Sequence, residues 1–322
     1  MSQKDTERAQ RSIHERVGLA IVGTTAKEAV VGIVAAEAAG VQQVWMTQGG
    51  PAPDTLTIFT AAAVQTSHVR MGTAIVPTYP RHPLALVQQA LALGDLAPER
   101  LRLGVGPSHR PVIEGSYGIE MGSPLEHERE YVSILRAALW EGNVDFHGKY
   151  YNVKTKLPRT PHTPILISAL RTGAYELAGE VSDGAISWMS PVQFLLEKAV
   201  PALKAGAEKG EHGVPPLVAH VPVAVSQNRQ AVLKASREQL GRYGQLPFYA
   251  GMFAEAGYPV SSDGVMSDAL FDNLVVSGDE ETIVKRLTDL LAAGIDELLV
   301  THVSVANAQD EQARLARLIG QL

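Results

Sequence analysis

Short apolar runs and longer amphipathic segments follow each other along the whole chain. In the longer segments apolar residues recur at spacings of three and four, which predicts helices, whereas the short runs are apolar throughout and predict buried strands. Eight such strands are predicted, at residues 17–22, 41–46, 69–76, 100–106, 164–169, 184–188, 217–225 and 295–303. None of them alternates apolar and polar residues as an antiparallel strand would. The pattern therefore predicts an α/β fold and favours a (β/α)8 TIM barrel over an open doubly wound sheet.

Polar residues mark the starts of several of these helices. Thr25 and Asn307 are predicted to be N-caps because each precedes an amphipathic segment. Residues 123–126 and 277–280 each place a serine three residues before a glutamate, which predicts two capping boxes. These signals make each helix follow its strand after a short loop.

Two stretches lack the periodicity of either element. Residues 107–122 and 244–272 are rich in glycine and proline, and we predict irregular insertions there, after strand four and after strand seven. Residues 144–153 predict a small hairpin outside the main sheet. Residues 1–16 are polar and mixed in charge, which predicts an N-terminal tail and leaves 17–322 as a single barrel domain.

Composition narrows the class of protein. The chain has 322 residues, of which 45% are hydrophobic and 19% are charged, as expected for a soluble globular protein with a large core. Its formal net charge of -6 disfavours nucleic acid as a partner. The chain contains no cysteine, so neither disulfides nor thiolate metal sites are expected. No apolar run reaches the roughly 18 residues of a membrane span, and we expect a cytoplasmic protein without a membrane partner.

In a barrel of this kind the chemistry belongs to the loops at the carboxyl ends of the strands. The loops predicted to line the site are residues 23–24, 47–48, 76–77, 107–110, 168–172, 188–191, Ser226 and 301–302.

Two other kinds of site are not predicted. The run 104–106 lacks a third glycine three residues later, where His109 stands, so a Rossmann dinucleotide motif is not formed. The His-x-His pair of metal hydrolase barrels is absent after strand one. His220 and His302 lie on different predicted strands without clustered carboxylates, so no metal site is expected.

Several stretches are similar, in order and spacing, to a known family. They are residues 72–83, 102–106, 108–111, 131–140, 146–148, 164–169, 178–179, 183–184 and 278–294. Together they resemble the luciferase-like monooxygenases, and within them the actinobacterial branch of oxidoreductases that use the deazaflavin coenzyme F420. The resemblance covers nearly the whole barrel from Val17 onward. It implies a homodimer, and it implies a non-prolyl cis peptide at Ala74–Ile75 that supports the central ring of the cofactor.

The resemblance also implies which residues hold the cofactor. They are Thr47, Ala74, Ile75, Val76, Gly106, Ser108, His109, Ser168, Ala169, Leu170, Arg171, Trp188 and Ser190. Two positions depart from the family pattern. Leu170 and Arg171 stand where relatives often carry two glycines, and Arg171 is a natural partner for the phosphate and lactyl groups of F420. Thr47 and Gln48 stand where relatives often carry an aspartate and a histidine, which removes the expected ionisable pair near the ring.

Hydride transfer requires the protein to hold the cofactor against the substrate, to exclude water and to place one proton donor. His109 and Gln48 are the catalytic candidates, His109 as donor or hydrogen-bond partner and Gln48 as a hydrogen-bonding group. His82 precedes Pro83, and capping of the following helix is at least as good an interpretation as catalysis.

We therefore expect an F420-dependent oxidoreductase that transfers a hydride between the deazaflavin C5 and a small organic substrate, with the reduced cofactor acting on an activated double bond or carbonyl. The first alternative is an FMN-dependent two-component monooxygenase on the same fold. The second, from another class, is a barrel that binds a ligand without redox chemistry or a metal-free hydrolase.

Overall fold

Eight parallel strands close into a ring in the computed structural model, which describes residues 11–50 and 52–322. In chain order the strands are β1 Val17–Ala20, β2 Gln43–Met46, β3 Arg70–Thr73, β4 Leu101–Gly106, β5 Ile165–Ala169, β6 Gly184–Ser187, β7 Leu217–Ala224 and β8 Glu297–His302. Each strand pairs in parallel with the next one along the chain. The ring closes where β8 pairs with β1, with Val17 beside Leu298. The predicted (β/α)8 barrel is confirmed.

Three further pairings lie outside this ring. The two-residue strand Val76–Pro77 continues the path of β3 and pairs with the end of β4. A second short strand, Val276–Ser277, pairs with the end of β7. An antiparallel hairpin of Asn143–His147 and Asn152–Lys156 stands apart, where a hairpin was predicted.

Helices fill the connections between the strands. They are Ile13–Arg16, Ala26–Ala38, Thr55–Ala63, Pro83–Leu96, Arg110–Tyr117, Pro124–Arg136, Thr172–Val181, Val192–Phe194, Val200–Lys209, Arg229–Leu240, Pro247–Glu255, Asp268–Leu274, Glu280–Ala292 and Ala308–Gly320. Two π-helical turns extend this set, at Ala137–Glu141 and Leu195–Ala199, and a 3-10 turn covers Gly241–Gln245. Within the described residues, no helix has both the length and the apolar composition of a membrane span.

The helix caps agree with the sequence at some ends and differ at others. Thr25 and Asn307 cap their helices through side-chain oxygens, as predicted. Ser123 precedes its helix but makes no side-chain cap, and Glu126 accepts from Lys149 at 3.0 Å, so the predicted box at 123–126 is wrong. The second predicted box, at 277–280, is also wrong: the cap is Asp279, since the preceding serine is part of a short strand.

Both stretches predicted to be irregular contain helices. Residues 107–122 include the helix Arg110–Tyr117, which ends at Gly118 with a φ of 66°. Only Ile113 of that helix is buried, and the prolines and glycines within and around its eight residues favour an irregular interpretation of the sequence. Residues 244–272 include the helix Pro247–Glu255, whose buried face is obscured in the sequence by neighbouring glycine, proline and alanine.

The start of the chain also differs from the predicted tail. Residues 1–10 lie outside the described residues, but residues 11–16 contact the barrel. Arg16 donates to the backbone carbonyls of Ile295 and Asp296, both at 2.8 Å, just before β8. These contacts attach the segment to the amino-terminal end of the barrel.

A single indole ring fills the middle of the barrel. Trp45 is fully buried there, in an inward-facing cluster of Ala20, Trp45, Ala74, Leu166, Ile186, Val218 and Leu299. Glycines on both neighbouring strands make room for it. A Cβ at Gly18 would lie 2.5 Å from the indole Nε1, and one at Gly72 would lie 2.3 Å from Cε3. No larger residue fits at either position without displacing the indole.

A buried ion pair closes the interior below Trp45. Arg102 donates to Glu297 at 2.5 Å and to the amide oxygen of Gln43 at 2.7 Å, and Arg11 reaches the same carboxylate at 2.9 Å. Burial by itself would raise the pKa of Glu297, but the guanidinium groups of Arg102 and Arg11 hold that pKa at about 2. The carboxylate is therefore ionised at neutral pH and neutralises a buried cation.

Changing Glu297→Gln should destabilise the protein by about 3–5 kcal/mol, because it leaves Arg102 buried without a counter-charge. The free energy of unfolding in urea at pH 7 measures this. Because the folded pKa lies below the ordinary 4.5, the contribution is present above pH 4.5 and is lost as the pH falls towards 2. Glu126→Gln, in an exposed ion pair, is the control and should cost far less. Equal losses in the two variants would contradict the prediction.

Candidate active site

Five residues at the open end of the barrel, Thr47, Ser168, Trp188, His220 and Thr301, follow members of the inward-facing cluster by two positions and so share their strand face. Ala74, from the cluster itself, and Gly106 complete the lining. This end, called the mouth below, is formed by Thr47, Ala74, Gly106, Ser168, Trp188, His220 and Thr301. It lies at the carboxyl ends of the strands, where barrels of this kind carry their chemistry. The mouth brings together residues from seven strands that are far apart in the sequence.

Between β3 and β5 the floor of the mouth has no side chain at Gly106, where β4 packs closely against its neighbours. A Cβ at Gly106 would lie 2.0 Å from the Ser168 Oγ and 3.1 Å from the Ile75 Cγ1. Only glycine therefore fits at 106. The peptide bond between Ala74 and Ile75 is cis, at the junction named from the sequence. Ile75 is half-buried, and its carbonyl accepts a hydrogen bond from the Gln48 N–H at 3.2 Å.

An aromatic stack forms the opposite wall. The rings of Trp188 and His220 lie 3.7 Å apart and are nearly parallel, at 10°. The indole N–H of Trp188 donates to the hydroxyl of Tyr243 at 2.8 Å. Nδ1 of His220 accepts from the Met189 N–H at 3.2 Å, so the ring proton is on Nε2 and points to the Thr301 hydroxyl at 2.8 Å. These bonds fix the orientation of Trp188.

His220 is uncharged in this position. Burial lowers its pKa to about 3, and the contact with Trp188 keeps water away from the ring. A neutral imidazole that is hydrogen-bonded at both nitrogens orients its neighbours and does not change its protonation state near neutral pH. His220 is thus a positioning residue for Trp188.

His109 lies at the rim of the mouth, after β4. It is the residue before the helix Arg110–Tyr117, yet its ring makes no cap hydrogen bond to that helix. The ring instead contacts the edge of Tyr249 at 5.8 Å, and Tyr249 packs against Tyr243 at 4.9 Å. Burial lowers the pKa of His109, and the nearby Arg242 lowers it further. His109 is therefore held towards its neutral form by its surroundings.

A second polar cluster lies beside the loop that follows β3. Tyr79 stacks on His127 at 3.9 Å and 5°, and Nε2 of His127 is hydrogen-bonded to the Tyr151 hydroxyl at 2.9 Å. Burial lowers the pKa of His127 to about 4. The adjacent Glu128 is buried, and its carboxyl oxygens have no hydrogen-bond partner among the described residues. Burial raises the pKa of Glu128 well above its ordinary value, which keeps it a neutral acid.

Some of the residues predicted from sequence are occupied by structural contacts. Both polar atoms of the Gln48 side chain are hydrogen-bonded to the backbone. Its amide nitrogen donates to the Ala52 carbonyl at 3.1 Å, and its amide oxygen accepts from the Thr55 N–H at 2.8 Å. His82 caps the helix Pro83–Leu96, with Nδ1 accepting from the Leu84 N–H at 3.2 Å. Gln48 thus organises the loop after β2, and His82 takes the capping role considered for it.

The predicted cofactor residues after β5 and β6 have different exposures. Arg171 is half-exposed and forms an ion pair with Glu255, which joins the β5 loop to the helix Pro247–Glu255. Leu170 is half-buried and packs against the hydrophobic core. Ser190 is buried, and its hydroxyl donates to the Trp188 carbonyl at 3.3 Å.

The remaining predicted residues lie at or next to the mouth. Thr47 is exposed, and Ser168 is partly exposed beside Gly106. Ser108 has a φ of 62°, which turns the chain sharply between β4 and His109. Two others face away from the opening: Val76 and Ala169 are both buried in the main hydrophobic core.

Sequence reasoning missed several residues of the mouth. His220 was considered only as a metal ligand, although its position two residues after Val218 on β7 indicates an inward-facing side chain. Tyr249 reaches the mouth from the segment 244–272 that was predicted to be irregular, and Arg242 and Tyr243 reach it from the two positions just before that segment. No local signal predicts these contacts. Among the described residues, no group of three or more His, Asp or Glu side chains could hold a metal ion.

Comparisons with known proteins agree with this geometry. The family model of luciferase-like monooxygenases matches residues 8–297. The F420-dependent glucose-6-phosphate dehydrogenase of Beutenbergia cavernae is 30% identical over 273 residues, which are 80% of this chain and 79% of the relative. Two solved structures share the fold.

The first solved structure is an F420-dependent secondary alcohol dehydrogenase in complex with an F420-acetone adduct, with a TM-score of 0.76 and 18% identity over 94% of this chain and 98% of the other. The second is the oxygenating constituent of 3,6-diketocamphane monooxygenase from Pseudomonas putida, in complex with FMN. Its TM-score is 0.70, with 17% identity over 95% of this chain and 97% of the other.

Replacing Arg242→Met should raise the pKa of His109, because it removes the positive charge that disfavours a second proton on the ring. An NMR titration of the His109 Cε1 proton measures the shift. Arg110→Met is the matched control: this arginine is next to His109 in the chain but is paired with Glu114 at 2.5 Å, and its loss should leave the pKa unchanged. An unshifted His109 pKa in Arg242→Met would contradict the assigned contact.

Proposed function

The chain belongs to the luciferase-like monooxygenase family and is an oxidoreductase, and from that premise we propose that it uses coenzyme F420. In this proposal a hydride passes between C5 of the deazaflavin and a small organic substrate, with the reduced cofactor acting on an activated double bond or carbonyl. The relative named as an F420-dependent dehydrogenase supports the choice of cofactor. The homodimer implied by the family resemblance and the cytoplasmic location expected from the composition of the chain stay predictions.

The observation that carries the proposal is the floor of the mouth at Gly106, where no side chain projects between Ile75 and Ser168. Because a Cβ at Gly106 would meet the Ser168 Oγ at 2.0 Å, no side chain stands between Ile75 and Ser168. A planar heterocycle fits such a floor, with Ala74 and Ile75 beneath it. Trp188, fixed by His220 and Tyr243, gives the site an aromatic wall. When bound, the deazaflavin supplies or accepts the hydride at its C5.

The charged groups at the rim fit the anionic tail of such a cofactor. Arg171 stands after β5, where the resemblance places the phosphate and lactyl groups, although Glu255 shares its guanidinium. Arg242 forms no ion pair within the part of the chain that the structure describes, and it lies near His109. Thr47, Ser108 and Ser168 supply hydroxyl groups around the ring and its tail.

His109 is proposed to donate a hydrogen bond to the substrate oxygen. Its lowered pKa keeps it neutral at physiological pH, so one ring nitrogen carries a hydrogen and can donate to a carbonyl oxygen. The donated hydrogen bond stabilises negative charge that develops on that oxygen during reduction. Gln48, whose amide is bonded to the backbone on both sides, is proposed to act indirectly by holding the β2 loop at the mouth.

An FMN-dependent monooxygenase is the second candidate. It is favoured by one observation, the shared fold with a monooxygenase component solved in complex with FMN. The floor of the mouth at Gly106 gives no reason to prefer one tricyclic ring over the other. The relative affinity of the protein for F420 and for FMN therefore decides between the two functions.

Titration with F420 and with FMN, followed by fluorescence quenching, is expected to show micromolar binding of F420 and weaker binding of FMN. Gly106→Ala should weaken binding of either cofactor, because its methyl group meets Ser168 at the floor. Gly115→Ala is the matched control, since a Cβ there has no atom within 4 Å, and it should bind as the wild type does. Tighter binding of FMN than of F420 would overturn the proposed cofactor.

Changing His109→Ala should reduce turnover by about 10²-fold or more while cofactor affinity is retained, as expected for a group that acts on the transition state. Steady-state kinetics with a reducible ketone or enone, together with the fluorescence titration, separates the two effects. His147→Ala, on the exposed hairpin, is the control and should leave turnover unchanged. Unaltered turnover in His109→Ala would remove this residue from the catalytic role.

A further inference from the structure

A connected wall of aromatic side chains runs along the mouth from Trp188 to His109. The indole N–H of Trp188 donates to the hydroxyl of Tyr243 at 2.8 Å, and the Tyr243 ring packs against Tyr249 at 4.9 Å. The Tyr249 ring in turn contacts His109 at 5.8 Å. The two tyrosines are buried, whereas Trp188 and His109 keep exposed surface. A ligand in the mouth can therefore contact the two ends of this wall.

Trp188 presents the larger apolar surface of these two ends. Its ring stacks on His220 at 3.7 Å, and it packs on top of the inward-facing cluster, as Ile75 does. Trp188 and Ile75 both remain partly exposed, so each presents apolar surface to the space above the floor. A bound apolar group that covers this surface is stabilised, because both are removed from water.

Two further apolar side chains near the mouth are open to solvent. Val22 follows Ala20 of the inward-facing cluster by two positions, the same offset that five residues of the mouth have. Its side chain is 75% exposed, although valine is usually buried. Phe248, the neighbour of Tyr249 on the helix Pro247–Glu255, is 60% exposed. Exposed apolar side chains that gather at one opening are typical of a site for an apolar ligand.

Charge points to the same class of ligand. The seven residues that form the mouth carry no formal charge at neutral pH, since burial lowers the pKa of His220 to about 3. At the rim, Arg171 is paired with Glu255, and the guanidinium of Arg242 lies 5.3 Å from the centre of the Tyr243 ring. A charged group on a substrate would leave water without a counter-charge among the residues of the mouth, which costs free energy.

We infer that the substrate is an uncharged ketone that carries an aromatic ring. This inference rests on the proposed function, because it takes His109 as the donor to the substrate oxygen. With the oxygen at that end of the wall, the ring of the substrate packs on Trp188 at the other end. The carbonyl carbon accepts the hydride, the electron pair of the π bond moves to the oxygen, and the oxygen takes a proton from water. The ketone is reduced to an alcohol while the cofactor is oxidised.

Isothermal titration of the full chain tests this substrate class with acetophenone, its carboxylate analogue 4-acetylbenzoate and its saturated analogue cyclohexyl methyl ketone. The protein is saturated with the oxidised form of whichever cofactor it binds more tightly, so that no ketone is reduced, and is used without cofactor if neither binds. Acetophenone should bind about tenfold or more tightly than 4-acetylbenzoate, because the mouth offers the carboxylate no counter-charge. It should bind about threefold more tightly than the saturated ketone, because only an aromatic ring stacks on Trp188.

This comparison uses the wild type alone and separates the substrate class from the cofactor. Tighter binding of FMN than of F420 would overturn the proposed cofactor, whereas the preference among the three ligands would still report on the wall. Binding of the oxidised complex also requires no turnover.

Trp188→Leu tests where the aromatic ring lies. It should lower the preference for acetophenone over cyclohexyl methyl ketone to about one, whereas a general distortion of the mouth would weaken both ketones alike. Trp188→Phe keeps an aromatic face and should keep the preference. Trp140→Leu is the matched control. That indole stacks on His162 at 5.2 Å and donates to the Thr163 carbonyl just before β5, at the amino-terminal end of the barrel, so its loss should leave the preference unchanged.

Three results would overturn the inference. They are no saturable binding of acetophenone at millimolar concentration, binding of 4-acetylbenzoate as tight as that of acetophenone, and a wild-type preference for acetophenone in Trp188→Leu.

Discussion

The packing of Trp45 between two glycines is the contact on which the barrel depends. Gly18 and Gly72, on the strands to either side of it, bring no side chain into the interior, so the indole can occupy the middle of the ring. Closely packed interiors tolerate neither a void nor an overlap of this size. The mouth lies directly above this layer, and the positions of its residues follow from the same inward-facing alternation along each strand.

Two equally buried carboxyl groups in this molecule have pKa values that are shifted in opposite directions. Glu297 is surrounded by the guanidinium groups of Arg102 and Arg11, and its pKa falls to about 2. Glu128 is equally buried but has no cation beside it, and its pKa rises. The difference comes from neighbouring charge and not from depth. At the mouth the same desolvation, with no acidic partner, keeps His220 and His109 towards their uncharged forms, and the charge of Arg242 lowers the pKa of His109 further.

The strands, most helices and the ring closure could be predicted because they depend on local periodicity and on the connection rules of parallel sheets. The helix Arg110–Tyr117 could not, since it is only eight residues long and contains a proline and a glycine, which are typical of irregular segments. Two capping boxes failed for a different reason. Glu126 is hydrogen-bonded to Lys149, next to the hairpin, and Ser277 of the second box is part of the strand Val276–Ser277. In both places a contact outside the helix is formed in place of the local capping motif.

The sequence by itself determined where the strands run, which loops stand at their carboxyl ends, and that Gly106 and His109 follow β4. The family resemblance added the position of the Ala74–Ile75 junction. Only the tertiary structure decided that Trp188, His220 and Thr301 meet, because the contact depends on the register in which three neighbouring strands pair. It also decided that the ring of Tyr249 contacts His109 and that the Gln48 side chain is hydrogen-bonded to backbone groups. Such contacts depend on distances in space that local sequence patterns do not encode.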